Sequence, residues 1–257
     1  GGAVNISELA KPVNTFNAIF GGDAVAMKAF DALKGYGVGE KQKGPGEFAL
    51  AMMSNKIRLA QGEGDTEIDG IGKVEVKPAM GITASGGRLG PGGPSQENQL
   101  KVLEKYEERI PNMLAGIRAK AGGTIGIGPF VNGLNAELPA GQGDNSAIRQ
   151  QMVSELLTPT FGNFANNIAK AFQGEDRTAI ENAYVKNNFE WYKARDKFDA
   201  YLLVSFTYGK TGMGRTGDDI IKMKDAGHLG SFAISIIPSK AAPREVFAQI
   251  SVNNSGV

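Results

Sequence analysis

Polar and apolar residues alternate with a period of two along the segment 62–77, GEGDTEIDGIGKVEVK. Because side chains two residues apart lie on the same face of a strand, this alternation predicts a β-hairpin. Gly70-Ile71-Gly72 supplies a tight turn, and we expect symmetric pairing about Ile71. The apolar face that packs inward consists of Ile68, Val74 and Val76. The opposite face carries Asp65, Glu67, Asp69, Lys73, Glu75 and Lys77.

Helical spacing of apolar residues predicts most elements of the first 200 residues. Two helices are expected within residues 5–35, the first capped by Ser7 and the second by Asp23. Another helix is expected over residues 44–60. Further helical segments are predicted over 96–120 with a break near Pro111, over 145–172 with a break at Pro159, and over 177–197.

The hydrophobic period changes after residue 200. The run YLLVSFTY at 201–208 is apolar, β-branched or aromatic, which is typical of a strand buried on both faces. Further strands are expected at 231–239 and 246–252. We therefore predict an α+β (α/β) fold in which the hairpin and the late strands share one mixed sheet. The chain is interpreted as a single domain, 1–257, with a helical insertion or subdomain at about 95–198.

The composition narrows the chemistry that the chain can perform. Cysteine is absent and His228 is the single histidine, which excludes disulfides, thiolate catalysis, cysteine-ligated metals and histidine-rich metal sites. Catalysis would rest on carboxylates, lysines and hydroxyl groups, which favour hard ions such as Mg²⁺ or Mn²⁺. The net charge of +1 gives no global basic field, so nucleic-acid binding would need a local basic surface.

The N-terminal segment carries no recognisable targeting signal. It begins Gly-Gly-Ala and has neither the charged nor the apolar region of a secretion signal. No apolar run approaches the roughly 18 residues that span a bilayer, so no membrane partner is expected. The missing initial methionine suggests a fragment of a larger polypeptide or a cloning scar.

The polar face of the hairpin is the strongest candidate for chemistry. Its acidic residues outnumber its two lysines, and an excess of like charge is unfavourable unless solvent or a cation compensates it. The alternative is an exposed cross-strand ion pair between Asp65 and Lys77, worth under about 1 kcal/mol. If the register of the hairpin differs, Glu67 or Asp69 takes the position of Asp65.

Three further residues are candidates for the same site. Glu47 lies in the first turn of the predicted helix 44–60, where it either complements the helix dipole at the surface or reaches the hairpin as a ligand. Arg88 lies within GGRLG, whose glycines let the backbone and guanidinium approach a phosphate, although an ordinary turn is the alternative. Lys73, on the polar hairpin face, is the second candidate for contact with DNA.

The end of the predicted helix 177–197 combines aromatic and basic residues. The aromatic residues, interpreted as packing groups, are Trp191, Tyr192 and Phe198. The basic residues, which form either an edge near DNA or a solvated face, are Lys193, Arg195 and Lys197. His228 is interpreted as a structural or solvated residue of a turn.

Gly64-Asp65 followed by Glu75-Val76-Lys77, after a helix that carries Glu47, resembles the PD-(D/E)XK nuclease superfamily, which has the restriction-endonuclease-like fold. The core of that family is a mixed β-sheet flanked by helices, with an Asp and a Glu-x-Lys on adjacent strands. Gly64 stands where the family often has proline. The resemblance covers about residues 44–90 and extends to nuclease-like proteins of tailed bacteriophages.

The resemblance implies a role for each matching residue. The catalytic set is Asp65, Glu75, Lys77 and Glu47, of which Asp65, Glu75 and Glu47 would ligate the metal. Two carboxylates hold Mg²⁺ (or Mn²⁺), which neutralises charge on the scissile phosphate and lowers the pKa of water. Lys77 then orients or helps to deprotonate that water and stabilises the pentacovalent state.

Three hypotheses about function follow from the sequence. The first is a Mg²⁺-dependent DNA nuclease, phage-encoded and acting in the host cytoplasm or the virion. The second is a non-catalytic DNA-binding or virion structural domain that retains the nuclease fold. The third is a solvated hairpin in an unrelated α+β protein. The expected partners are DNA, a larger polypeptide or virion assembly, and a second copy of the chain.

Overall fold

The computed structural model describes residues 3–33, 45–79, 88–89, 92–94, 99–119, 123–206, 208–237, 244–246 and 248–252. Helices and a mixed β-sheet occur together, which confirms the predicted α+β class. The chain forms two compact units. Unit 1 comprises residues 1–89, 192–230 and 251–257, and unit 2 comprises residues 90–191 and 231–250.

The elements are numbered along the chain within the described residues. The helices are α1 Ile6–Leu9, α2 Phe16–Ile19, α3 Ala24–Leu33, α4 Pro45–Met53, α5 Leu100–Glu104, α6 Pro111–Arg118, α7 Ile127–Glu137, α8 Asn145–Phe161, α9 Phe164–Ala171, α10 Arg177–Asp196 and α11 Gly217–Asp225. The strands are β1 Asn14–Thr15, β2 Ile57–Leu59, β3 Thr66–Ile68, β4 Gly72–Ala79, β5 Arg88–Leu89, β6 Gly92–Pro94, β7 Gly123–Gly126, β8 Ala200–Ser205, β9 Lys210–Gly214, β10 Leu229–Ile237, β11 Arg244–Val246 and β12 Ala248–Val252.

Unit 1 is built on a six-stranded mixed sheet in the order β1-β9-β8-β4-β3-β2. β4 and β8 run parallel, and the other neighbouring strands are antiparallel. The predicted hairpin is present as β3 and β4, but its predicted register about Ile71 is wrong. Glu67 lies opposite Lys73, so the hairpin is centred on Gly70, which has a φ of 79°. Only glycine adopts such a backbone readily, so Gly70 is well suited to the centre of the turn.

The sheet has one apolar face, on which helices α1 to α4 pack. Val74 and Val76 of β4 are at most 2% exposed and belong to the core, as the alternation predicted. Thr66 lies opposite Val74, whereas pairing about Ile71 would place Ile68 there. Because this shift is two residues and side chains alternate with a period of two, each side chain stays on its predicted face. The remaining sheet residues of this core include Ile68, Ala200, Leu202, Val204 and Met213. Burying each valine, leucine, isoleucine or methionine side chain of this set stabilises the fold by about 1.5–3 kcal/mol.

The helices on the apolar face differ from their predicted boundaries. The first predicted helix is two short helices, and Asn5 caps α1 where Ser7 was expected, because its side chain accepts the amides of Ser7 and Glu8. The Asp23 cap of α3 is confirmed by its bonds to the amides of residues 25 and 26. The predicted helix 44–60 ends at Met53, and its last residues form the edge strand β2.

The opposite face of the sheet carries Glu75 and Lys77 of β4 beside Tyr201 and Leu203 of β8. Tyr192, near the end of α10, contacts Tyr201 edge to face, with 6.4 Å between ring centroids. Phe198 lies 5.0 Å from Tyr192, centroid to centroid, and both rings are at most 3% exposed. The interpretation of Tyr192 and Phe198 as packing aromatics is therefore confirmed.

The parallel register of β4 and β8 is fixed where the two strands begin. The amide of Lys73 donates to Asp199 Oδ2 at 2.8 Å, and the amide of Asp199 donates to the carbonyl oxygen of Lys73 at 2.7 Å. This reciprocal pair aligns Glu75 with Tyr201 and Lys77 with Leu203.

Unit 2 contains the long helices of the central chain. The predicted break at Pro159 is wrong, because α8 continues to Phe161 and ends at Gly162, which has a φ of 53°. Among the late strands, β10 pairs with β7 and β11 pairs with β6. β10 and β12 belong to a second sheet, so among the strands that the structure describes the expected common sheet is correct for β8 and wrong for the strands predicted at 231–239 and 246–252.

Candidate active site

Glu75 and Lys77 form a close ion pair on β4. The Lys77 ammonium Nζ donates to Glu75 Oε1 at 2.5 Å. Only 13% of the Glu75 side chain and 25% of the Lys77 side chain are exposed, although both are charged. Residues i and i+2 of a strand lie on the same face, which is why a Glu-x-Lys sequence brings these two groups together. Such partly buried charges are costly unless they are paired.

Tyr192 of α10 is a third member of this cluster. Its hydroxyl donates to the same oxygen, Glu75 Oε1, at 2.8 Å, and the Lys77 Nζ lies 6.0 Å from the centroid of its ring. Burial raises the pKa of the Tyr192 phenol, and the negative charge of Glu75 raises it further. Tyr192 therefore remains a protonated hydrogen-bond donor at neutral pH.

Asp65 lies beside the pair, immediately before β3. Gly64, with a φ of 75°, turns the chain so that Asp65 Oδ2 accepts the amide of Val76 at 2.8 Å. The amide of Asp65 in turn donates to the carbonyl oxygen of Val74 at 3.0 Å. Burial raises the pKa values of the Tyr192 and Tyr201 phenols, and the negative charges of Glu75 and Asp65 raise both further. Asp65 and the Glu75–Lys77 pair are thus brought to the same part of β4.

The other acidic residues of the hairpin have basic partners of their own. Arg58 of β2 pairs with Asp69 at 2.8 Å and lies 3.7 Å from Glu67. Lys73, predicted to contact DNA, is exposed and pairs with Glu63 at 2.5 Å. Arg58 therefore compensates much of the excess negative charge that the sequence indicated for the hairpin. Arg58 was predicted to lie in a helix but lies in β2. Within this register Glu67 and Asp69 do not replace Asp65 beside Glu75.

Glu47 lies in the first turn of α4 and is only 6% exposed, so the alternative of a surface residue is wrong. A Cβ atom on the neighbouring Gly46 would lie 3.6 Å from Val76 Cγ1, which shows that this end of α4 packs against the apolar face of β4. Glu75 and Lys77 point from the other face. In the described part of the chain, no three acidic or histidine side chains are arranged to hold a metal ion. The metal set of Asp65, Glu75 and Glu47 is therefore not preassembled.

Asp196 is an acidic group at this site that the sequence did not indicate. It lies one helical turn after Tyr192 on α10, so the two side chains share a face of the helix. Burial raises the pKa of Asp196, and the negative charge of Glu75 raises it further. The positive charges of Arg195 and Lys77 lower it. The pKa of Asp196 therefore depends on the charges of Glu75 and Lys77.

Arg88, the other residue predicted to contact DNA, lies in β5, and its side chain is outside the described residues. The basic residues near the end of α10 are described. Lys193 donates to the carbonyl oxygen of Arg215 at 2.8 Å, and Lys197, which is 72% exposed, lies 3.8 Å from Glu63. Lys73 and Lys197 thus share Glu63, close in sequence to Asp65.

The chain matches no protein-family model, no curated protein and no solved structure with which it was compared. In the parts of the chain that the structure describes, none of the helices combines the length and the apolar character needed to cross a bilayer.

Proposed function

We propose that this chain is a Mg²⁺- or Mn²⁺-dependent deoxyribonuclease that hydrolyses phosphodiester bonds. The observation that carries the proposal is the bond of Asp65 Oδ2 to the amide of Val76, the residue between the largely buried partners Glu75 and Lys77 on β4. A helix bearing Glu47 precedes these strands, and helices flank the sheet. These are the features that the resemblance to the PD-(D/E)XK superfamily implies.

The donor set fits a small divalent cation. Mg²⁺ keeps several waters and is commonly bound through one or two carboxylates together with substrate phosphates. Asp65 and Glu75 provide two carboxylates, and Asp65 is held rigidly because its Oδ2 is bonded to the backbone of β4. The third carboxylate of the expected set, Glu47, is not required for this coordination.

Each side chain has a distinct task in this proposal. A bound cation would neutralise charge on the scissile phosphate and acidify the attacking water. Lys77 carries three N–H donors, one of which binds Glu75 Oε1, so the others are able to donate to a phosphate oxygen or orient the water. Such preorganised donors stabilise the charge that develops in the transition state.

Binding of the DNA backbone would depend on local cations, because the net charge of the chain is only +1. Lys73 and Lys197 are 46% and 72% exposed, and their shared partner Glu63 is also exposed. Exposed ion pairs of this kind are weak, so a phosphate is able to compete for either lysine. Arg88 remains a predicted contact.

The proposal is tested by cleavage of supercoiled and linear plasmid DNA in Mg²⁺, Mn²⁺ or EDTA. The wild type is compared with Lys77→Ala and with Lys56→Ala, which removes an exposed lysine next to β2. We expect metal-dependent cleavage that is lost in Lys77→Ala and kept in Lys56→Ala. Equal cleavage by Lys77→Ala and the wild type would contradict the assignment. Retention of DNA in a gel without cleavage under any metal would favour a non-catalytic DNA-binding or virion structural domain.

A further inference from the structure

Two donors converge on one oxygen of Glu75. The Lys77 ammonium and the Tyr192 hydroxyl both donate to Oε1, at 2.5 Å and 2.8 Å. We propose that Tyr192 is a positioning residue of the site, which holds the Glu75 carboxylate through Oε1 and so leaves Oε2 to bind a divalent cation. This inference rests on the proposed function, because it assigns Glu75 to metal binding.

The phenol of Tyr192 is itself held firmly. Its ring is 3% exposed and packs edge to face against Phe198 and Tyr201, with interplanar angles of 80° and 65°. Tyr192 belongs to the last turns of α10, a helix of 20 residues, so its backbone is fixed by a long regular element. Tyr201 is aligned with Glu75 by the parallel register of β4 and β8. The hydroxyl therefore approaches Glu75 from a rigid surface.

In the hydrogen bond between Tyr192 and Glu75, the Tyr192 hydroxyl is the donor. An ionised carboxylate only accepts hydrogen bonds, so the Tyr192 hydroxyl must donate. Lys77 alone would hold Glu75 less well, because a lysine ammonium ends a flexible four-carbon chain and imposes little direction. A phenol on a packed ring imposes both distance and direction. Tyr192 therefore restricts the rotation of the Glu75 carboxylate in a way that Lys77 does not.

Tyr192 would bind Glu75 through the carboxylate oxygen that does not contact the metal. Removing a residue in such a position typically lowers metal affinity or activity by about 10- to 100-fold. Tyr192→Phe removes the hydroxyl and keeps the ring contacts. The matched control is Tyr184→Phe, a buried tyrosine on the same helix whose hydroxyl is bonded to Asn188. Both substitutions delete one buried hydroxyl, but only the first reaches Glu75.

The test measures Mn²⁺ binding by isothermal titration calorimetry and, separately, single-turnover cleavage of DNA with Mn²⁺. For Tyr192→Phe we expect about 10-fold weaker Mn²⁺ binding and about 10-fold slower cleavage. Tyr184→Phe is expected to change neither quantity by more than about twofold. In a Glu75→Gln background, Tyr192→Phe should have no further effect on Mn²⁺ affinity, which separates positioning of Glu75 from a general loss of packing.

The outcomes distinguish this inference from the proposed function. A wild type that binds Mn²⁺ and cleaves DNA, beside a folded Tyr192→Phe variant with the same affinity and rate, overturns the role of Tyr192 alone. An equal loss of Mn²⁺ affinity in Tyr184→Phe also overturns it, because the effect would then be one of stability. A wild type that neither binds Mn²⁺ nor cleaves DNA overturns both the proposed function and this inference.

Discussion

The carboxylate of Asp65 accepts a hydrogen bond from the backbone amide of Val76 through Oδ2, at 2.8 Å. β3 begins one residue later, at Thr66, which lies opposite Val74. The Asp65 side chain therefore takes the place of a backbone acceptor where the pairing of β3 with β4 stops. Because Val76 is only 2% exposed, its amide would otherwise lack a partner in the sheet. Asp65 thus has a structural role in addition to the catalytic role that we propose.

The two roles of Asp65 are separable by substitution. Asp65→Asn keeps an acceptor for the Val76 amide, so we expect the free energy of unfolding to stay within about 1 kcal/mol of the wild type. Asp65→Ala leaves that amide unsatisfied and should cost about 1–3 kcal/mol. Both variants should lose DNA cleavage by about 100-fold or more, because the metal carboxylate is gone. Urea unfolding and plasmid cleavage measure the two effects, and full activity in Asp65→Asn would contradict the catalytic role.

Gly72 is required by the contact between β4 and β8. Its φ is 105°, and a Cβ atom would clash with Asp199 Oδ2, which binds the amide of Lys73. Gly72→Ala is therefore expected to destabilise the fold by about 2–5 kcal/mol, from backbone strain and a lost hydrogen bond.

The matched control for Gly72 is Gly70→Ala. Gly70 has a φ of 79°, but no atom would lie within 4 Å of an added Cβ. Gly70→Ala should destabilise the fold by only about 1–2 kcal/mol, because it adds backbone strain at a positive φ and no steric clash. Thermal or urea unfolding of the two variants measures the difference, and equal destabilisation would show that the Asp199 contact contributes nothing.

Arg149 holds together the loops at one end of unit 2. It is fully buried, and its guanidinium donates to the carbonyl oxygens of Phe172 and Gly174, each at 2.7 Å. It also donates to the carbonyl oxygen of Leu138 at 3.0 Å and to Asn135 Oδ1 at 2.9 Å. Arg149→Met leaves these acceptors unsatisfied and should cost about 3–5 kcal/mol in urea unfolding. Arg109→Met removes a partly exposed arginine that, within the described residues, is bonded through its side chain to Asp144 and Asn145 only, so it should cost less than Arg149→Met.

His228 should make stability depend on pH. It is 6% exposed, which confirms a structural role and excludes a solvated one. Burial lowers the pKa of His228, and the positive charge of Lys210 lowers it further. Below the ordinary histidine pKa of about 6.5, the unfolded chain therefore takes up a proton that the folded chain resists. The contribution of His228 to stability is thus fully present above about pH 6.5 and is lost as the pH falls below it.

Urea unfolding between pH 7.5 and 5.5 measures this effect. The free energy of unfolding of the wild type should fall over this range more than that of His228→Gln. Parallel curves for the two proteins would contradict the prediction.

The faces of the hairpin were predictable from sequence, but its register was not. The period of two places Val74 and Val76 inward and Glu75 and Lys77 outward in either register, since the two registers differ by an even number of residues. Gly70 and Gly72 both have a positive φ in the structure, so glycine placement in the sequence does not distinguish the two registers. Strand β2 was missed because three residues are too few for a period to be recognised.

The site was predictable only as far as local spacing reaches. Glu-x-Lys on one strand brings Glu75 and Lys77 together whatever the rest of the chain does. Tyr192 lies 117 residues from Glu75 in sequence, so their hydrogen bond depends on a long-range contact within unit 1 that no local spacing predicts. The burial of Glu47 likewise depends on how α4 packs against Val76, which no pattern within the helix reveals.

The central claim is that Glu75 belongs to a metal-dependent catalytic site, and Glu67 offers a matched comparison. Both glutamates lie on the same face of the same hairpin, but Glu75 binds Lys77 and Tyr192, whereas Glu67 is exposed and lies opposite Lys73. The deciding measurement is the single-turnover rate of DNA cleavage in Mn²⁺ for Glu75→Gln and Glu67→Gln. We predict a loss of about 100-fold or more for Glu75→Gln and a change of no more than about twofold for Glu67→Gln. Equal rates in the two variants would contradict the account.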